Sequence, residues 1–261
     1  MSSESLIDFI LHLGDNALVL GHRNSEWTGH GPILEQDIAL SNIALDLIGQ
    51  ARYYYQYASE LMNASEPLTA RGRGPVTEDA LAFLRDAWDF RNCLLVEQGN
   101  GDWGKTILRQ FFFSAYQYEL YRILKHSRDE QLAAIAEKSL KEVTYHLRWS
   151  GEWVIRLGDG TEESHARMEQ AVSDLWQYTG ELFLPADYEK TLAPLGIAVE
   201  LAAIRPAWEA KTGEVLKAAG LETKEGEWMQ KGGKQGKHTE ALGYLLAEMQ
   251  FLQRAYPGCE W

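Results

Sequence analysis

The chain has 261 residues, with 38 acidic side chains against 25 basic ones and a formal net charge of −13. So acidic a surface argues against nucleic acid and anionic membrane as main partners. No window approaches an apolar membrane span, and Met1 to Asp8 lacks the basic start and apolar run of a signal peptide, so the chain is expected to be soluble and cytoplasmic. Two cysteines, Cys93 and Cys259, lie far apart outside any CxxC, which argues against a disulfide framework.

Prolines set the boundaries along the chain. Pro32, Pro67 and Pro75 bracket one long segment, and no further proline occurs before Pro185. Between them the periodicity predicts helices over 4–27, 33–63, 77–98, 104–127, 129–157 and 162–183. Gly99-Asn100-Gly101 and Gly158-Asp159-Gly160 are the clear stops. Thr161 then opens the sixth helix as an N-cap, with Glu162 and Glu163 in the first turn where negative charge suits the helix dipole. Beyond Pro185 the pattern gives a helix at 206–219, a Gly/Lys stretch at 224–237 and a last helix at 239–255. Nothing alternates in strand fashion for long. The chain therefore reads as all-α and as one domain over 1–261, an antiparallel helical bundle over about 33–183 with added terminal helices and a C-terminal helical extension over about 184–261.

The segment 33–63 dominates this layout. As a helix it is a rod of about 45 Å at roughly 1.5 Å per residue. Leu40, Ala44, Leu47, Ala51, Tyr54, Ala58 and Leu61 form one continuous face, and Leu34, Ile38, Leu45, Ile48 and Tyr55 form a second row beside it. A helix apolar over most of its circumference is packed on more than one side, which directs attention to the polar residues it carries inward: Asn42, Asp46 and Gln50.

Long buried helices with internal carboxylates suggest a ferritin-like di-metal bundle. That site asks for a Glu from each of two helices and a Glu-x-x-His from each of two others. Three residues before His12, His22, His30, His126, His146 and His238 stand Phe9, Val19, Trp27, Ile123, Val143 and Gln235. Only Glu162-x-x-His165 matches, and it falls at a surface position in a first turn. The inward set of Asp46, Asp86, Glu119, Glu142 and His146 lacks the second half of a di-iron site and reads as a buried structural cluster, with Glu142 and His146 as a hydrogen-bonded pair. The alternative is a metal-dependent oxidase using Glu119, Glu142 and His146. GxSxG, P-loop and Rossmann fingerprints are absent. Tyr53-Tyr54-Tyr55 and Phe111-Phe112-Phe113 read as core or helix-interface material, and Lys231, Lys234 and Lys237 as a flexible loop with anion binding as its alternative role.

Several strings carry a resemblance: Leu13-Gly14-Asp15-Asn16, Glu26-Trp27-x-Gly29-His30, Leu45-Asp46-Leu47-x-Gly49-Gln50-Ala51-Arg52, Leu94-Leu95-Val96-Glu97-Gln98, Tyr145-His146-Leu147-Arg148 and Trp208-Glu209-Ala210. With the C-terminal run Gly236-x-His238-Thr239-Glu240-x-Leu242-Gly243, they resemble the C-subunit family of bacterial phenylacetyl-CoA epoxidases, over nearly the whole chain. The resemblance implies a ferritin-like fold and a role as the non-catalytic structural subunit of a monooxygenase complex in phenylacetate catabolism. In such a complex a catalytic A subunit of the same fold carries the di-iron centre and is stabilised by this chain. A B subunit bridges the assembly, and a reductase with NADPH, flavin and iron-sulfur supplies electrons. The chain itself is then expected to hold no cofactor and no metal. A stand-alone homodimeric binding protein is the other rival.

The resemblance also implies a contact with the coenzyme A part of the substrate. The pattern Arg85-Asp86-x-x-x-Phe90-x-Asn92, and the segment after Glu181-Leu182-Phe183, would bring Asp89, Phe90, Arg91 and Asn92 near Glu189, Lys190 and Thr191. Arg91 and Lys190 are the cations there that a phosphate would favour. Otherwise Arg91 pairs with a neighbouring carboxylate and Lys190 is merely solvated.

Overall fold

The computed structural model describes residues 3–65, 74–223 and 228–259. Pro67 and the start of the Gly/Lys stretch, 224–227, lie outside the described residues. Among them every regular element is helical. α1 (Ser3–Ser25), α2 (Leu34–Ser65), α5 (Trp103–Leu124) and α6 (Glu130–Gly158) are the long ones. Between α2 and α5 runs a crossover holding α3 (Glu78–Phe83) and α4 (Leu94–Glu97). α7 (Glu162–Leu175), α8 (Asp187–Leu192), α9 (Leu201–Ala218), α10 (Glu240–Met249) and α11 (Phe251–Ala255) follow.

Side-chain pairs fix how the four long helices sit. Asp15 of α1 meets Tyr55 of α2, and Gln50 of α2 meets Glu142 of α6. Gly151 of α6 lies against Phe111 of α5, and Asn24 of α1 meets Gln110 of α5. From Asp15–Tyr55 to Gly21–Leu47, and from Gln50–Glu142 to Asp46–His146, one residue number rises as the other falls. α5 returns as α6 after the short turn 125–129, so the helices close an antiparallel, ferritin-like ring with one long crossover. α1, expected as an appended helix, is thus a member of the bundle. Gly21 lets it approach α2 closely: a Cβ there would lie 3.2 Å from the Cβ of Leu47 and 3.3 Å from the Ala44 carbonyl oxygen.

Caps start the helices where the sequence signals them. Asp102 accepts from the Lys105 amide (2.9 Å), Asp129 from Leu132 (2.9 Å) and Thr161 from Ser164 (3.1 Å). The expected helix over 77–98 is broken. After Phe83 the chain leaves the α-helix and runs to Cys93 with a single 3₁₀ turn at Ala87–Asp89, because α1 supplies better acceptors than helical carbonyls. The Arg91 amide donates to Asp15 (2.7 Å) and the Cys93 amide to Asn16 (2.8 Å), both from buried side chains. The helix expected over 162–183 likewise ends at Leu175 and gives way to 3₁₀ turns. α9 begins at Leu201, before Pro206, which it carries inside.

The extension after Pro185 is packed on the bundle. Trp208 of α9 donates its indole N–H to the Phe112 carbonyl (3.0 Å) and sits among Phe112, Trp176 and Phe183. No helix of the described residues is long and apolar enough to cross a membrane.

Candidate functional site

The five inward carboxylate and histidine positions do not form one cluster. His146 is fully buried, and its Nε2 lies 2.9 Å from Asp46, whose side chain is 38% exposed. Glu142 bonds not to His146 but to Gln50 across the α2–α6 seam, accepting from Nε2 at 2.9 Å. The expected Glu142–His146 pair is therefore two cross-helix bonds, since residues four apart on α6 each find a partner facing them on α2. Half burial raises the Glu142 pKa, and the Asp46 charge adds to this against the Gln50 bond and His146. Glu119 is engaged by Arg122 one turn on (2.8 Å). Asp86 sits on the crossover surface, 71% exposed, and pairs with Arg254. Asn42 is exposed as well. Among the described residues no three His, Cys, Asp or Glu side chains are grouped so as to hold a metal, so this donor set does not fit a di-iron centre. Glu162 is exposed, and His165 is bonded to the Gly158 carbonyl (2.6 Å).

The strongest polar assembly lies elsewhere, where α1, the crossover and the C-terminal segments meet. Asp15 is fully buried and accepts from the Tyr55 hydroxyl (2.6 Å), from the Arg91 amide and from both terminal nitrogens of Arg85. The Arg85 guanidinium lies over the Phe90 ring at 4.2 Å. Glu97, also fully buried, accepts from Asn92 Nδ2 (2.8 Å), the Thr239 amide (2.7 Å) and the Thr239 hydroxyl (2.8 Å), and His238 Nδ1 stands 2.7 Å away. Glu181 accepts from the amides of Leu94 (2.8 Å) and Gly232 (2.7 Å). Glu189 meets Lys234 Nζ at 3.0 Å. Asp15 and Glu181 thus accept crossover amides that would otherwise lie buried without partners, while Glu97, from within the crossover, holds Thr239, and Glu189 holds Lys234. His12, beneath them, has its pKa lowered to about 4 by burial and then by the charge of Lys234.

This overturns the reading of the Gly/Lys stretch as a flexible loop over its described part. Lys234 is 1% exposed and inward. A Cβ on Gly233 would lie 2.2 Å from the Asn92 carbonyl oxygen, so the loop presses directly on the crossover backbone. Its anion-binding amides are already filled from within by Glu181. Of Lys231, Lys234 and Lys237, the first and last are exposed, on a cleft of about 380 Å³ beside Leu184 and Pro185.

Of the expected coenzyme A contacts, Phe90, Asn92 and Glu189 are buried inside the assembly, where Asn92 serves Glu97 and Glu189 serves Lys234. Asp89, Lys190 and Thr191 are exposed and Arg91 is half-buried. The Arg91 guanidinium donates to the carbonyls of Trp88 (2.8 Å) and Phe90 (3.1 Å) rather than to a carboxylate, and Lys190 pairs with Asp187 (2.9 Å). Asp15, Glu97 and Glu181 were the residues sequence reasoning missed as a site. Their signal was a carboxylate set within an apolar run, as in Leu94-Leu95-Val96-Glu97.

α2 presents a second feature. The face Leu40, Ala44, Leu47, Ala51, Tyr54 and Ala58 is buried, but of the second row only Tyr55 is. Leu34 is 71% exposed and Leu45 66%, with Ile33, Ile38 and Ile48 also exposed. Leu34, Ile38, Leu45 and Ile48 recur at helical spacing and make one apolar stripe that nothing among the described residues covers.

A profile of the family described as phenylacetic acid catabolic protein matches residues 1–261. The C subunit of the 1,2-phenylacetyl-CoA epoxidase of Escherichia coli (strain K12) is 47% identical over 256 residues, covering 98% of this chain and 99% of that relative.

Proposed function

The chain belongs to the phenylacetic acid catabolic protein family, and from that premise we propose that it is the non-catalytic structural subunit of a multicomponent phenylacetyl-CoA epoxidase. It pairs with the catalytic A subunit, which carries the di-iron centre, and keeps that subunit folded and soluble. A bridging B subunit and an NADPH-dependent flavin and iron-sulfur reductase complete the system. The observation that carries this reading is the uncovered apolar stripe of α2, a surface suited to another long helix. The dispersal of Asp46, Asp86, Glu119, Glu142 and His146 into separate pairs supports the oxygen chemistry being the partner's, against an oxidase built on Glu119, Glu142 and His146.

The test is co-expression with an A subunit. Leu45→Arg with Ile38→Arg should leave the chain folded, since both side chains are already exposed, yet weaken pairing by roughly 100-fold or more, about 1.5–3 kcal/mol for each large apolar side chain. The unaltered pair should co-purify with iron in the partner alone. Stoichiometric iron and turnover by this chain without a partner would refute the assignment.

Within the same reading, the acyl-CoA phosphates approach the exposed Asp89, Lys190 and Thr191 and the half-buried Arg91. Arg91→Ala/Lys190→Ala in the assembled complex should raise KM for phenylacetyl-CoA, more so at low salt, with kcat little changed. A KM that does not move at low ionic strength removes this chain from the substrate site.

A further inference from the structure

His238 opens the segment that carries α10 and α11, and both of its ring nitrogens face acceptors. Nδ1 lies 2.7 Å from Glu97 Oε2 and Nε2 lies 3.0 Å from the Phe90 carbonyl oxygen. A neutral imidazole has one N–H, so it satisfies one of these acceptors and not both. The remaining neighbours of the Glu97 carboxylate, Asn92 Nδ2, the Thr239 amide and the Thr239 hydroxyl, are already donors to it. A second proton, on the ring or shared with the carboxylate, is what this geometry requires.

We propose that a proton held between His238 and Glu97 latches the C-terminal segment from His238 through α11 onto the crossover, and that the segment loosens when this proton is lost. The inference is independent of the assembly proposed above. The segment has other fastenings: Gln250 donates to the carbonyls of Ala82 (3.1 Å) and Arg85 (3.0 Å), Arg23 to that of Ala241 (2.9 Å), and Arg254 pairs with Asp86. Burial works against charge on His238, but the Glu97 bond and charge, the Phe90 carbonyl and the Asp15 charge outweigh it and lift the pKa above the ordinary 6.5. The charged groups that face it from the packed elements are Glu97 of α4 and Asp15 of α1, with Arg23 of α1 bonded to the Glu97 carbonyl. His22 of α1, near Glu248, has its pKa lowered by burial, opposite in direction to His238, and Tyr178, near Glu97, has its pKa raised from the ordinary 10.0 by burial. With a folded-state pKa above the unfolded one, the latch is complete below the unfolded value near 6.5 and is lost as pH rises through the folded value.

Hydrogen exchange of the full chain across pH 6 to 9 tests this. After correction for base catalysis, the opening constant of residues 240–249 should rise with pH above the unfolded pKa, with a slope of at most about tenfold per pH unit for a single released proton, and then level off. Amides of α5 should show no such slope. In His238→Gln the opening constant should be high already at low pH and flat across the range. Should that variant not fold, ¹⁵N chemical shifts of the wild-type ring decide, with both nitrogens expected to carry protons at pH 6, below the ordinary 6.5. A neutral ring at pH 6, or an opening constant that does not change with pH, overturns the proposal.

Discussion

Asp15→Ala should destabilise the chain by about 3–5 kcal/mol, the range for removing one partner of a buried ion pair. The carboxylate has no exposure and holds three groups at once: the Arg85 guanidinium, the Tyr55 hydroxyl and the Arg91 amide. Each is left in a site that solvent scarcely reaches, and each has lost the acceptor its position was built around. In a chain of this size, roughly 2–4 °C of melting temperature accompanies each kcal/mol, so calorimetry should read a fall of roughly 6–20 °C. Asp15→Leu combined with Arg85→Met separates the lost pair from the stranded charge. If the unpaired cation dominates, the double variant recovers most of the loss, because well-packed apolar replacements of buried ion pairs are often neutral. A single variant within about 1 kcal/mol of wild type would mean that Arg85 swings out to solvent and that the crossover is not held from α1.

What the sequence displayed, and what it hid, follows from which forces are local. Caps and glycine stops are local, and Asp102, Asp129 and Thr161 begin helices where they stand. The repeat of Leu40, Ala44, Leu47 and Ala51 likewise marks a buried face. The row Leu34, Ile38, Leu45 and Ile48 shows equal periodicity, but periodicity says that a face seeks cover without saying which chain covers it, and this row is exposed. The crossover was hidden for the opposite reason. Residues 84–93 have no local bar to helix, and the acceptors that draw them out, Asp15 and Asn16, lie about seventy residues earlier. The same distance concealed the site: Glu142 and His146 look like a pair four residues apart, while their partners Gln50 and Asp46 belong to another helix.

Lys234→Met should also destabilise by about 3–5 kcal/mol, through the acid rather than the base. Glu189 is 2% exposed, and after the substitution one of its oxygens still accepts from the Ala186 amide (2.8 Å) while the charge has no cation against it. Chemical denaturation of single variants and of Lys234→Met/Glu189→Leu measures this, with the double variant expected near wild type. The loop itself supplies the second readout. Gly232 and Gly233, directly before Lys234, are pinned by the Glu181 carboxylate and by the Asn92 backbone, so loss of the lysine should raise hydrogen exchange at 232–237 without reaching α5 or α6. A lysine among glycines in a solvated loop would give neither effect. The crossover touched by this loop also carries Arg91, and the exposed Lys190 follows directly on Glu189, so a slackened loop should disturb any ligand contact there before it disturbs the bundle. A Lys234→Met complex that keeps its assembly and iron but shows a raised KM would tie this buried pair to substrate positioning. Unchanged kinetics with lowered stability would confine it to holding the fold.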